Sequence, residues 1–264
     1  MPPRQTSRKA RKRGHLDTLA GALGYYADLR AFVVSLDLLT RAIVDELETI
    51  AKEGGLTVDS ASTRNPEREI VRMRKLIVEQ ERKYLVSVSH KDVTRAAIRA
   101  YDRTESTNRV QVGKQMRELV GLKRLETPQT ATIRGRFVAD NVNLIKTIGP
   151  QHFDRIEKLI SNGFAAGRNS REMIKDIQAI GDVSRSRAKL IARDQIGSLN
   201  SQLTRATHTA NGITRFTWQT VGDERVRDEH EDLDGQTFDY SVGATGEGFP
   251  GQPIQCRCFA EPTL

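Results

Sequence analysis

For its first 210 residues this chain places apolar side chains three or four positions apart, and that spacing leaves helix as the one regular structure able to bury them together. From His15 to about Lys52 the residues Leu16, Leu19, Leu23, Tyr26, Leu29, Val33, Leu36, Ile43, Leu47 and Ile50 share one face. Gly54-Gly55 is expected to stop this helix through left-handed backbone angles, Gly21 and Gly24 to weaken its first third, and 59–65 to form a polar loop. Asn65-Pro66-Glu67 supplies a cap, a first-turn proline and an early acid for a second helix through Ile70, Met73, Ile77, Tyr84 and Leu85. Ser89 to Asp92 caps a third, which must cross the polar stretch 102–109 to reach Val120. A fourth covers 128–148, with Gly149-Pro150 as its expected stop.

After Pro150 the elements shorten. Phe153, Ile156, Ile160 and Phe164 form one helical face; Asn169-Ser170 caps a helix through Met173, Ile174, Ile177 and Ile180 that Gly181 is expected to terminate. Ser184 is expected to cap a further helix through Ile191, Ile196, Leu199 and Leu203, stopped by Asn211-Gly212. At Ile213 the period falls to two. Residues 213–221 are rich in β-branched and aromatic side chains and put Phe216 and Trp218 on one face of a strand. Asp234-Gly235 is a turn before a second strand at 236–238, 255–260 can pair as a third, and the glycine- and proline-rich 243–253 is a loop. The fold class that follows is a mostly α N-terminal region of long helices followed by a small α+β C-terminal domain. Its expected divisions are a basic tail at 1–13, a helical body at 14–149 and the C-terminal domain at 150–264.

Composition matters chiefly through its distribution. Arg4, Arg8, Lys9, Arg11, Lys12 and Arg13 precede the first acid, Asp17, and account for six of the eight net positive charges. The rest of the chain is nearly neutral, so the basicity belongs to a tail, expected to be disordered when free and to lie along DNA phosphates, along an acidic protein surface, or on no fixed partner. No apolar run approaches the ~18 residues that span a bilayer, and no apolar stretch follows the basic start as in a secretory signal. A protein made in the cytoplasm, with no membrane partner, is the expectation. The two cysteines, spaced C-x-C, suit a metal or thiol role better than a disulfide with each other.

Chemically distinctive residues crowd the C-terminal part. In order they are Ile191-Ala192-Arg193-Asp194-Gln195, Trp218, Asp223-x-Arg225-Val226-Arg227-x-x-His230, Leu233-Asp234-Gly235, Pro250-x-x-Pro253 and Cys256-Arg257-Cys258. This succession resembles the C-terminal domain of the phage Mu F-like minor head proteins, also called phage head morphogenesis proteins, over roughly 153–262. The resemblance implies a structural, non-enzymatic minor head (capsid) protein of a tailed phage or prophage. Such a protein would act in head morphogenesis at the portal vertex, in several copies per virion, and in DNA packaging or ejection. Its partners would be the portal protein, other head proteins and double-stranded DNA through the basic tail.

Many relatives carry C-x-x-C where this chain has Arg227 to His230, giving with C-x-C a four-cysteine set that looks like a zinc site. Here the equivalent ligands are His230, Cys256 and Cys258, because arginine cannot ligate; Asp223 or Asp234 would have to supply a fourth. The alternative is a hydrogen-bonded cluster with the cysteines as small core residues. A different class of reading makes Asp223, His230 and Asp234, with Asp228, Glu229 and Asp232, a metal-dependent hydrolase or nuclease site. Clustered acids after a strand equally form a solvated turn or a charge network with Arg225 and Arg227. Trp218 is expected as a core anchor and Gly235 as a turn residue. Arg193 and Arg257 either pair with the acidic 223–234 segment or stand exposed.

Overall fold

The computed structural model describes residues 8–55 and 66–264, with side chains from 18 to 53 and from 67 to 264. The elements in order are α1 (Arg8–Ile50), a π-helical turn (Ala51–Gly55), α2 (Pro66–Ser87), α3 (His90–Val120), α4 (Ala131–Lys146), α5 (Ile148–Ala165) and α6 (Ser170–Ala210). There follow β1 (Arg215–Gln219), α7 (Asp228–Asp232), β2 (Thr237–Asp239) and β3 (Phe259–Thr263). Long helices thus precede a small antiparallel sheet, as the change of period at Ile213 predicts. The polar loop at 59–65, with the Asn65 cap, lies outside the described residues.

Several boundaries differ from expectation. The backbone is already helical at Arg8, so Arg8, Lys9, Arg11, Lys12 and Arg13 begin α1 rather than continue a disordered tail; Arg4 lies outside the described residues. Arginine, lysine and alanine are good helix formers, and nothing in that run breaks a helix. Residues 102–109 stay helical within α3. Gly149-Pro150 opens α5 instead of closing α4, since a proline in a first turn loses no intrahelical bond.

Gly181 does not end its helix, and Ser184 is not a cap: 170–210 is one helix. An interior glycine costs only about 1 kcal/mol. Its missing side chain leaves room for Asp37, whose Oδ1 lies 3.2 Å from where a Cβ would stand. Asp37 takes two hydrogen bonds from Arg185 Nη1, at 2.9 and 2.8 Å. Two caps are found as predicted. Ser89 and Asp92 bond reciprocally at the start of α3, and Asn169 Oδ1 accepts the Glu172 amide at 2.9 Å.

The chain forms two compact units, one of 1–26, 94–141 and 190–264, the other of 27–93 and 142–189. The division expected at 149/150 is therefore not the one observed; each unit draws on both sides of it. In the second unit α2 packs against α5, with Met73, Ile77, Tyr84, Phe153, Ile156 and Ile160 buried. Gly149 lies flat against the Tyr84 ring, where a Cβ would come 2.0 Å from Cε1.

His152 is buried between Thr40 Oγ1 (2.7 Å) and Ser184 Oγ (2.9 Å). Ser184 spends its own proton on the Ile180 carbonyl, so His152 Nδ1–H donates to Ser184 and Nε2 accepts from Thr40. A neutral ring satisfies every partner. Burial, reinforced by the Arg155 and Arg185 charges, lowers its pKa to about 4.

In the first unit β1 is the central strand of the order β2-β1-β3, antiparallel to both neighbours. Phe216 and Trp218, fully buried, stand on its core face with Val112 and Met116 of α3 and with Ile213, Tyr240 and Ala260. Phe216 meets Tyr240, Phe238 and Phe249 at ring separations of 4.7, 5.8 and 5.9 Å, contacts worth about 0.5–1.5 kcal/mol each beyond burial. His208, sealed in the same unit, shares a 2.6 Å hydrogen bond with the Tyr240 hydroxyl, and burial lowers its pKa to about 3. Among the described residues no helix is long and apolar enough to cross a membrane.

Two tests follow. Gly149→Ala must displace the buried Tyr84 ring and should lower stability by about 1–3 kcal/mol. Gly135→Ala, on an exposed face of α4 with open space around it, should raise stability by up to about 1 kcal/mol; denaturant titration reads both. Acid should also destabilise the fold. Between pH 6.5 and about 4 the unfolded chain takes up protons on His152 and His208 that the folded chain refuses. Stability is therefore full above pH 6.5 and should fall by about 1.4 kcal/mol per pH unit for each histidine well below it. His152→Gln should remove part of that slope in denaturant titrations at pH 7.5 and 5.

Candidate functional site

The first unit gathers the chemically distinctive residues by three devices. The first is the hairpin side of β1: Trp218 N donates to the Gln236 carbonyl and Gly235 N to the Trp218 carbonyl, both at 2.8 Å. Asp234 Oδ1 accepts the Thr220 amide at 2.7 Å and so fastens the segment that returns from α7. The second is α7 itself, whose single buried residue is His230, packed edge-on against Trp218 at 5.3 Å and 68°.

The third is the loop from 243 to 258. Gly243, at φ +80, has the Gly248 carbonyl oxygen 2.7 Å from where a Cβ would be, and Ala244 bridges to Gly248. Gly251, at φ +88, lies against α6, where a Cβ would meet Ser201 Cβ at 3.2 Å and the Gly197 carbonyl at 3.3 Å. Only glycine combines that backbone angle with that approach. Gln255 is also left-handed, at φ 57, and its amide is held by Asp194 Oδ1 of α6 at 3.0 Å. The loop is thereby seated on the Arg193-Asp194 turn of α6 and delivers Cys256-Arg257-Cys258 beside His230.

His230, Cys256 and Cys258 place one donor atom each within 4.8 Å of one another. His230 Nδ1 lies 3.5 Å from both sulfurs. On the other side of the ring Nε2 is 2.9 Å from Glu247 Oε2, a carboxylate that can only accept while ionised. Nε2 then carries the proton, and the Nδ1 lone pair points at the sulfurs, the orientation that a carboxylate behind a metal-binding histidine imposes.

Cys256 Sγ accepts the Gly251 and Cys258 amides at 3.3 and 3.4 Å. Its pKa is pulled down, first by the hydrogen bond from the Cys258 thiol and then, against burial, by those two amides. Cys258, holding the shared proton in a buried position, is raised. The Trp218 indole N–H is buried facing Cys258, with no other acceptor among the described residues, and favours the thiolate there. Two sulfurs and one imidazole nitrogen, with a carboxylate behind the histidine, are three of the four ligands that a tetrahedral zinc site takes.

The acids do not complete this set. Asp223 is taken by Arg257, whose two terminal nitrogens reach its two oxygens at 2.5 Å. Asp234 Oδ1 holds the Thr220 amide, and neither acid places an oxygen in the ligand cluster, so neither supplies the fourth ligand suggested by the sequence. Arg227 donates to the Ile254 carbonyl and so ties the start of α7 to the loop. Asp228, Glu229 and Asp232 are exposed on α7. Among the described residues the candidate metal cluster is His230, Cys256 and Cys258; the acids named for a hydrolase site do not converge with them.

Of the two arginines expected to fasten helix to sheet, Arg257 makes the pair and Arg193 does not. Asp194, Gly197, Glu247 and Gly251 are roles that the spacing did not reveal, although Asp194 lies within the quoted α6 run. Arg193, Arg225, Arg257, Cys256 and Cys258 also share the lining of one cavity of about 180 Å³.

Residues 154–261 match the family model described as Phage Mu protein F like protein. A curated protein of Haemophilus influenzae (strain ATCC 51907 / DSM 11121 / KW20 / Rd), described as an uncharacterized protein, is 36% identical over 126 residues. That match covers 48% of this chain and 28% of the relative. No solved structure matches the chain. The match brackets the three devices described above, from α5 to the centre of β3, so over that span the chain is similar to the Phage Mu protein F like proteins.

Proposed function

We propose that the chain is a structural component of a tailed-phage or prophage head, a head morphogenesis protein acting at the portal vertex. The observation that carries this reading is the family match over 154–261, whose separated motif elements fold into one interlocked knot. In that knot Asp223, Asp234, Arg227 and Arg257 spend their hydrogen bonds on holding chain segments together. Such a use of polar groups suits a part that must keep its shape within an assembly better than one that turns over substrate. The helices before residue 154 offer long faces for portal or other head proteins, and the basic run Arg4 to Arg13 a contact for packaged DNA.

Particles purified from the genome that encodes the chain should contain it, in several copies, when examined by mass spectrometry. Deletion of its reading frame should leave heads that fail to fill or to infect. Infectious particles that form normally without it would contradict the proposal.

Zinc at His230, Cys256 and Cys258 is the second element of the proposal. Bound there, the ion would cross-link α7 to the 243–258 loop and contribute folding free energy directly. Purified protein should carry close to one equivalent, lose it on His230→Ala or Cys258→Ser, and unfold at lower temperature after chelation. Glu247→Gln should weaken metal affinity about 10–100-fold by removing the partner of Nε2. A metal-free preparation indifferent to chelator would leave the cluster as a hydrogen-bonded core.

A further inference from the structure

The cavity shared by the motif residues has a composition that a metal site does not explain. Its volume, about 180 Å³, is an order of magnitude above the ~10–15 Å³ that one water needs. Among the described residues three arginines line it, and no aspartate or glutamate does. Arg257 is neutralised by Asp223, behind the cavity wall. Arg193, half-buried on α6, and Arg225, exposed on the segment after β1, have guanidiniums with no hydrogen bond or ion pair to any described residue.

A fourth donor is fixed beside them. Asn108 Nδ2 donates to Asn200 Oδ1 at 2.9 Å, which leaves the Asn200 NH₂ without an acceptor among the described residues. The remainder of the wall, including Leu19, Val112 and Phe259, is apolar.

We infer that this cavity binds an organic phosphate monoester. Two guanidiniums without a described acidic partner match the charge of about −1.5 to −2 that a phosphate monoester carries near neutrality, whereas a carboxylate would balance only one. The planar fork of arginine pairs bidentately with phosphate oxygens, and the Asn200 amide adds a neutral donor. Leu19, Val112 and Phe259 then face the organic part of the ligand. The three elements that meet here, the Arg193 turn of α6, Arg225 and the 250–258 loop, are brought together by the loop contacts already described. The inference is independent of whether the chain assembles into heads and of whether zinc is bound.

The test is isothermal titration of the full-length chain with inorganic phosphate, adenosine 5′-monophosphate and adenosine. The monophosphate should bind saturably, phosphate more weakly, and adenosine not measurably. Arg193→Gln and Arg225→Gln should each lower monophosphate affinity on the order of tenfold or more. Arg171→Gln, exposed in the other unit, should leave it unchanged. Because Arg225 is exposed, its variant remains a valid test even if Arg193→Gln disturbs folding. Adenosine binding as tightly as its monophosphate would overturn the inference. So would no binding of either anion at millimolar concentration, or an affinity that ignores both substitutions. Phosphate binding as tightly as the monophosphate would reduce the site to a free-oxyanion pocket and contradict its organic half.

Discussion

The packing of Trp218 against His230 is the contact on which the C-terminal structure depends. Trp218 is fully buried on the central strand, and its ring sets the position of the one buried residue of a five-residue helix far too short to be stable by itself. His230 in turn faces both cysteines through Nδ1 and Glu247 through Nε2. Sheet, α7 and the 243–258 loop are thus joined through one imidazole. Removing either ring would free two segments that have little regular hydrogen bonding of their own.

What surrounds this contact is a division of labour among polar groups. Asp194, Asp223, Asp234 and Arg227 anchor backbone or pair locally. Arg193 and Arg225 do not, although they belong to the same motif and line the same cavity. Side chains that build the fold and side chains left available for a ligand are therefore distinguishable by their partners. That difference separates a scaffold role for the acids from a binding role for the free arginines, and it gives no support to a hydrolase built from 223–234.

Much of the fold was legible because it rests on local physics. Apolar spacing located α1 to α5, the Ser89 and Asn169 caps obeyed their usual chemistry, and the fall of period at Ile213 announced β1 with Phe216 and Trp218 inward. Failures arose where tertiary contacts overrode local signals. Gly181 was absorbed into α6 by the Asp37–Arg185 pair, and Pro150 served a helix start as readily as a stop. The two compact units could not be read from the chain, because each is assembled from separated segments and the cuts fall inside α1, α3, α4 and α6. At the site, His230, Cys256 and Cys258 were visible from residue type and order. Glu247 was not, nor was the close approach of Gly251 to α6, since both depend on how a glycine-rich loop folds back onto α6 and α7.

Trp218 is locked inside this C-terminal structure, and the chain offers a clean probe of that burial because it contains a single tryptophan. Acrylamide and iodide quenching of its fluorescence in the folded full-length protein tests the claim directly. The account predicts blue-shifted emission that neither quencher reaches until the chain unfolds, and a loss of that protection in His230→Ala. Quenching of the native protein as efficient as that of the unfolded chain would contradict it.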